Sequence, residues 1–179
     1  MSNLIPKIIW FTGLSGAGKS FYGDYVAKKL KEKNLKIKIL DGDVIREKYQ
    51  VPLGFKYDEI CTNNKNIANI CREELNKYDV IIVAVISPYE NVRQEIKEIF
   101  KNNIFFIYVY SDIESLKQRD TKGLYKNADE GIIKNLIGYS PGSIYEEPEN
   151  CELILDTSYN IKPIDNYAKI DEFINLKVL

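Results

Sequence analysis

Gly13-Leu14-Ser15-Gly16-Ala17-Gly18-Lys19-Ser20 fits the G-x-x-x-x-G-K-[ST] pattern, and no other stretch limits the fold so sharply. The pattern needs a strand before it and a helix after it. Ile8-Ile9-Trp10-Phe11 reads as a buried strand, and the residues from Lys19 to Leu30 carry Tyr22, Val26 and Leu30 on one helical face. Glycines at these positions let backbone N–H groups turn inward towards phosphate oxygens, and the following helix adds the positive end of its dipole. Lys19 is placed to reach β- and γ-phosphates, and the Ser20 hydroxyl to ligate Mg²⁺.

The rest of the chain alternates strand and helix, which predicts an α/β fold with a parallel sheet covered on both faces. Strands are expected over Lys7 to Thr12, Lys36 to Leu40, Val80 to Ile86, Ile104 to Tyr110 and Leu153 to Asp156, giving a central sheet of about five. The run Val80-Ile81-Ile82-Val83-Ala84-Val85-Ile86 is apolar without alternation, as in a central strand buried on both faces. Helices are expected over Val44 to Lys48, Tyr57 to Lys77, Tyr89 to Lys101, Asp112 to Gln118 and Ile164 to Leu176, the last packing through Ile164, Ala168 and Ile174. Pro52 to Phe55 reads as a loop. Residues 119–145 are polar and glycine-bearing and read as a helical lid with mobile ends. No linker or repeat divides the chain, so residues 1–179 are taken as a single domain.

Composition removes several function classes. The chain has no histidine, so a proton acceptor must be a carboxylate or lysine, and histidine-based triads and metal sites are excluded. A net charge of −1 argues against a nucleic-acid partner. No apolar run approaches a membrane span, and the N-terminus lacks the pattern of a signal peptide. Cys61, Cys71 and Cys151 are scattered and odd in number, which fits a reducing, cytoplasmic setting.

Ligands of parallel sheets bind at the carboxyl ends of the strands. There the sequence places the phosphate loop, Asp41-Gly42-Asp43, Ser87 and Ser111-Asp112, the last pair as a helix cap. A phosphate loop serves kinases, switches and motors alike. No Asp-x-x-Gly switch loop follows a strand, whereas Arg119, Lys122, Lys126 and Lys134 give the lid the positive charge that phosphoryl transfer uses. Asp41 and Asp43 are candidates to hold Mg²⁺ through water and to meet an acceptor hydroxyl.

Five further stretches complete the pattern: Leu40-Asp41-Gly42-Asp43-Val44-Ile45-Arg46, Gly54-Phe55, Ile86-Ser87-Pro88-Tyr89, Arg119-Asp120-Thr121-Lys122-Gly123-Leu124-Tyr125-Lys126, and Glu147-Pro148-Glu149-Asn150 with Leu155-Asp156-Thr157. In order and spacing the chain, from about Ile9 to Thr157, resembles the adenylylsulfate kinases. The resemblance implies a three-layer P-loop kinase fold. It also implies transfer of the ATP γ-phosphoryl group, with Mg²⁺, to the ribose 3′-hydroxyl of a nucleotide carrying a 5′-phosphosulfate, in an enzyme that commonly forms homodimers. Its site roles fall on Lys19, Asp41 and Ser87 as catalytic residues. Gly13 to Ser20, Arg119 and Thr157 become the ATP contacts, with Arg119 against the adenine. Ser20, and Asp41 through water, become the metal contacts. Asp43, Arg46, Phe55, Ile60, Asn63, Ile86, Ser87, Lys122, Gly123, Leu124 and Leu136 become the acceptor contacts, with Phe55 stacking on the base. Ser87 matches a serine described as a phosphoserine intermediate, but direct in-line transfer is the preferred reading.

The departures lie on the acceptor side. Counting back without gaps from Ile86 puts Glu59-Ile60 where the family has Asp-Arg, and Asn63-Asn64-Lys65-Asn66 where it has Asn-Ile-Arg-Arg; a gapped alternative uses Asn66-Ile67-Ala68-Asn69 and also lacks both arginines. Leu136 falls where the family has a second base-stacking phenylalanine, and Gly138 to Ser143 is changed. Neither isoleucine nor asparagine replaces arginine as a planar bidentate donor. These changes favour a related acceptor, cytidine diphosphoramidate of bacterial capsule biosynthesis, over adenylylsulfate. A non-catalytic nucleotide-binding regulator is the third possibility.

Overall fold

The computed structural model describes residues 5–47 and 54–179. Five parallel strands form one sheet in the order β2-β3-β1-β4-β5. They are β1 (Lys7–Thr12), β2 (Ile37–Asp41), β3 (Val80–Ala84), β4 (Ile104–Tyr110) and β5 (Leu153–Asp156). The central strands β3 and β1 are apolar along their length because both faces are covered.

One face carries α1 (Lys19–Glu32) and α7 (Pro163–Phe173), with Val26, Leu30, Ile170 and Phe173 packed against Ile9, Phe11 and Ile82. The other carries α3 (Tyr57–Glu74) and α4 (Glu90–Phe100), with Ile67, Cys71, Ile96 and Phe100 packed against Trp10, Ile81 and Val83. Side chains alternate across each strand, so neighbouring residues such as Ile9 and Trp10 feed opposite cores. Short helices α2 (Gly42–Glu47), α5 (Ile113–Arg119) and α6 (Leu124–Asp129) lie between strand ends.

Most expected elements are present with end shifts of a residue or two. The central strand ends at Ala84, two residues before the expected Ile86, while Val85 N still bonds Phe11 O and Gly13 N bonds Ile86 O, which ties the strand exit to the phosphate loop. The C-terminal helix buries Asn166, Ile170, Phe173 and Val178 and, as expected, Ile174; Ile164 and Ala168 are exposed, so the packed face over the first turns is not the expected one. The lid contains only one six-residue helix. Asp120 starts it by accepting from Tyr125 N and Lys126 N at 3.1 and 2.9 Å, and Gly131, in the left-handed region, ends it. Lys48, Pro52 and Leu53, expected in a short helix and a loop, lie outside the described residues. No helix among the described residues is long and apolar enough to cross a membrane.

Candidate active site

The register of the sheet brings the site together. Asp41 at the end of β2 pairs with Ala84 at the end of β3, and β1 between β3 and β4 ends at Thr12. Gly13 then approaches β4 so closely that a Cβ would sit 2.2 Å from Val109 O, which only glycine, here at φ +144°, permits. The loop continues to Gly18, which precedes α1 in the left-handed region.

Lys19 Nζ donates to Gly13 O at 2.9 Å and Leu14 O at 2.8 Å, which holds it within the loop. Burial pulls its ammonium down to about 8; Asp43 and Asp41 oppose the shift and Lys122 reinforces it. Ser20 Oγ donates to Asp41 Oδ2 at 2.7 Å, and Asp41 Oδ1 accepts from Asp43 N at 2.9 Å, capping α2. Asp43 Oδ2 meets Lys122 Nζ at 2.6 Å, linking the acceptor side to the lid. Arg46 donates to Gly54 O at 2.8 Å, with its guanidinium 4.8 Å from the centre of the half-exposed Phe55 ring.

These residues line a cavity of about 220 Å³ that also includes Ile60, Asn63, Ile86 and Ser87. Asn63 is almost wholly buried, and its Oδ1 has no partner among the described residues. A buried amide oxygen left unpaired beside a cavity is a group that a bound molecule satisfies. Ile60, also buried, puts an aliphatic wall where the resemblance expects arginine. Asn66 does not line the cavity.

Ser87, expected among the catalytic residues, is in the cavity wall with its hydroxyl already hydrogen-bonded on both sides. Its backbone is at φ +47°, its Oγ accepts from Trp10 Nε1 at 2.9 Å, and it donates its one proton to Asn64 Oδ1 at 2.7 Å. A buried hydroxyl committed in this way is a structural joint and a poor nucleophile. Leu136 is corrected. Tyr139 N and Ser140 N both bond Leu136 O, and Ser140 Oγ accepts from Leu136 N, closing a turn that drives Leu136 into the core and presents Ile137 to the cavity. Of the expected lid contacts, Lys122 reaches the cavity. Leu124 lines a small crevice behind Ser15 and Gly16, and Gly123 only starts α6.

A second cavity of about 330 Å³ adjoins the loop at Ala17 and contains Arg119 and Thr157. Arg119 donates to Thr157 O at 2.5 Å and Ser111 Oγ at 2.7 Å; Thr157 Oγ1 bonds Ala17 O at 3.0 Å. Asp112 caps α5 by accepting from Ser115 N at 2.7 Å, as its position after β4 suggests. Two anchors that sequence reading missed hold residues 119–145 down. Tyr125 donates to Ser15 O at 2.8 Å, and Tyr145 Oη shares a 3.0 Å hydrogen bond with Thr12 Oγ1. Both tyrosines stand in a polar segment, where nothing local marks them as buried.

Among the described residues no cluster of three or more Asp, Glu, Cys or His side chains could hold a metal by itself. The Ser20–Asp41 pair offers a hydroxyl and a carboxylate, the oxygen donors that suit Mg²⁺ when phosphates and water complete its shell.

The profile of the family described as adenylylsulphate kinase matches residues 5–156. The chain belongs to the adenylylsulfate kinase family. As a member it is a phosphotransferase with an alcohol acceptor, of the ATP-dependent nucleotide 3′-kinase type. It is similar to a probable adenylyl-sulfate kinase of Pyrococcus abyssi (40% identity over 151 residues, 84% of each chain). It is also similar to one of Bacillus subtilis (38% over 152 residues, 84% of this chain and 76% of the relative). The solved APS kinase of Mycobacterium tuberculosis in complex with AMPPNP and APS superposes with a TM-score of 0.86 at 27% identity, covering 96% of this chain and 99% of that one. The adenylylsulfate kinase fold, a parallel sheet of five strands between helical layers, is therefore shared along nearly the whole chain.

Proposed function

We propose that the protein transfers the γ-phosphoryl group of Mg·ATP to the 3′-hydroxyl of adenylylsulfate. The observation that carries this reading is the Ser20–Asp41 contact, which joins the phosphate loop to the 220 Å³ cavity holding Asp43, Arg46 and Phe55. The relatives named as adenylyl-sulfate kinases, and the neighbour solved with AMPPNP and APS, support this acceptor over the cytidine compound that the sequence changes favour.

The residues divide the work as follows. Backbone N–H groups of residues 13–20 and the Lys19 ammonium bind the phosphates and stabilise charge that moves onto the β,γ-bridging oxygen. Ser20, and Asp41 through water, would hold Mg²⁺, which supplies further charge neutralisation when bound. Asp41 accepts the proton of the 3′-hydroxyl as its oxygen bonds to the γ-phosphorus, and the bond from that phosphorus to the bridging oxygen breaks to release ADP. Phe55 stacks on the acceptor base, Arg46 and Lys122 face its anionic end, and Asn63 offers its unpaired amide oxygen.

The second reading, cytidine diphosphoramidate as acceptor, is favoured by one specific observation. Ile60 lines the cavity where the family resemblance expects a guanidinium, and Ile137, the residue after the position where it expects an aromatic ring, lines it beside the lid. An assay with Mg·ATP and each acceptor in turn separates the two. Adenylylsulfate turned over faster, with a 3′-phosphorylated product, supports the first reading. Turnover of the cytidine compound alone establishes the second. Binding of ATP with no transfer to either sinks both and leaves a regulator.

A further inference from the structure

The second cavity has a wall that neither the phosphate loop pattern nor the acceptor chemistry uses. Phe21, in the first turn of α1 directly after Ser20, lines it and is 56% exposed. Its ring does not hang free. It meets Tyr22 edge to face at 5.1 Å and lies 6.3 Å from Tyr167, which itself stacks on Tyr25 at 4.3 Å. Tyr22 is in turn held by Asn166 Nδ2 at 2.9 Å. A large apolar ring held on one side by Tyr22 and Tyr167 and left half open on the other is a preorganised surface.

The same cavity holds the Arg119 guanidinium, fixed by Thr157 O and Ser111 Oγ, and it touches the phosphate loop at Ala17. A ligand whose phosphates occupy the loop and whose other end enters this cavity therefore meets the Phe21 ring, with Tyr22 and Tyr159 in the same lining, and one planar cation. Both groups stack on planar heteroaromatic rings. We propose that Phe21 is the stacking residue for the base of the donor nucleoside triphosphate, and that it contributes to donor affinity separately from the phosphate contacts. The proposal rests on the reading of residues 13–20 as the donor site.

The test measures binding of ATP and of inorganic tripolyphosphate, each with Mg²⁺, to the full chain and its F21A, F21L and F21W variants. Stacking against an aromatic face predicts about 5- to 30-fold weaker ATP binding in F21A and F21L, with a matching rise in KM for ATP. F21W retains a ring and binds ATP within about twofold of the parent or more tightly. Tripolyphosphate, which has no base, binds all four proteins within about twofold of one another. F21L keeps apolar bulk against Tyr22 and Tyr167, so it decides the question if F21A does not fold. ATP affinity unchanged in F21L, or equal weakening of ATP and tripolyphosphate, overturns the role of Phe21. A parent chain that binds neither probe overturns the donor reading itself.

Discussion

Raising the pH tests the charge of Lys19. Burial lowers its ammonium to about 8, whereas an ordinary lysine titrates near 10.5. The protonated form is the one that binds phosphate, so its contribution is present below about pH 8 and lost as the pH rises through it. For a group at about 8, the charged fraction falls from about 0.9 near pH 7 to about 0.03 near pH 9.5, so kcat/KM for ATP drops about 30-fold. For an unshifted lysine the same change would leave kcat/KM within about 10%. The chain has no histidine, and burial pushes the thiols of Cys61, Cys71 and Cys151 up from their usual value.

The assay is initial velocity at low ATP with saturating Mg²⁺ and acceptor, across that range. Two substitutions sharpen it because they act in opposite directions. Asp43 raises the Lys19 ammonium, so D43N moves the alkaline limb to lower pH; Lys122 lowers it, so K122A moves the limb to higher pH. A profile that stays flat to about pH 9.5, or a limb that neither substitution moves, refutes the argument that burial sets the charge of Lys19.

Two other predictions concern how the site is built. S87A leaves Trp10 Nε1 without its acceptor and Asn64 Oδ1 without its donor, so it costs about 1–3 kcal/mol in urea unfolding while transfer stays within about tenfold; a folded S87A protein slowed about a thousandfold would instead put the hydroxyl in the chemistry. G138A places a Cβ at φ +75° and 2.2 Å from Leu14 Cδ2, so it costs about 1–3 kcal/mol, and the L14A/G138A pair recovers part of that loss; strictly additive losses would show that the two residues do not press on one another.

Residues 13–20, Asp41 and Asp43 were legible in the sequence because their geometry is local. A strand exit, a glycine turn and a helix start fix where those groups point, whatever packs behind them. The ties of Ser87 were not legible because its partners Trp10 and Asn64 are distant in sequence, so only the fold shows that its proton is already committed. Leu136 was misread for a related reason. Which of Leu136 and Ile137 faces the cavity depends on a turn that Ser140 closes, and hydrophobicity does not distinguish the two. The C-terminal helix was placed correctly and Ile174 packs as expected, but its first turns were rotated, since the buried Asn166 sits on the inner face and breaks the apolar pattern that would reveal it.

The two halves of the site differ in how freely they can change. The donor half is locked into the core: Gly13 is pressed on Val109 O, Tyr125 holds Ser15 O, and Thr157 ties Ala17 to β5. A substitution there disturbs the sheet as well as the nucleotide. The acceptor half rests on side chains of α2 and α3 and on one lid lysine, and its closing pair, Lys122–Asp43, is 60% and 72% exposed. Exposed pairs of that kind add little to stability and weaken with salt. Ile60 packs where a guanidinium would otherwise have to be kept paired and hydrated, so replacing arginine there removes a constraint on folding. The loop that drives phosphoryl transfer is therefore tied to the sheet, whereas the acceptor wall is held by side chains that can be exchanged without disturbing it.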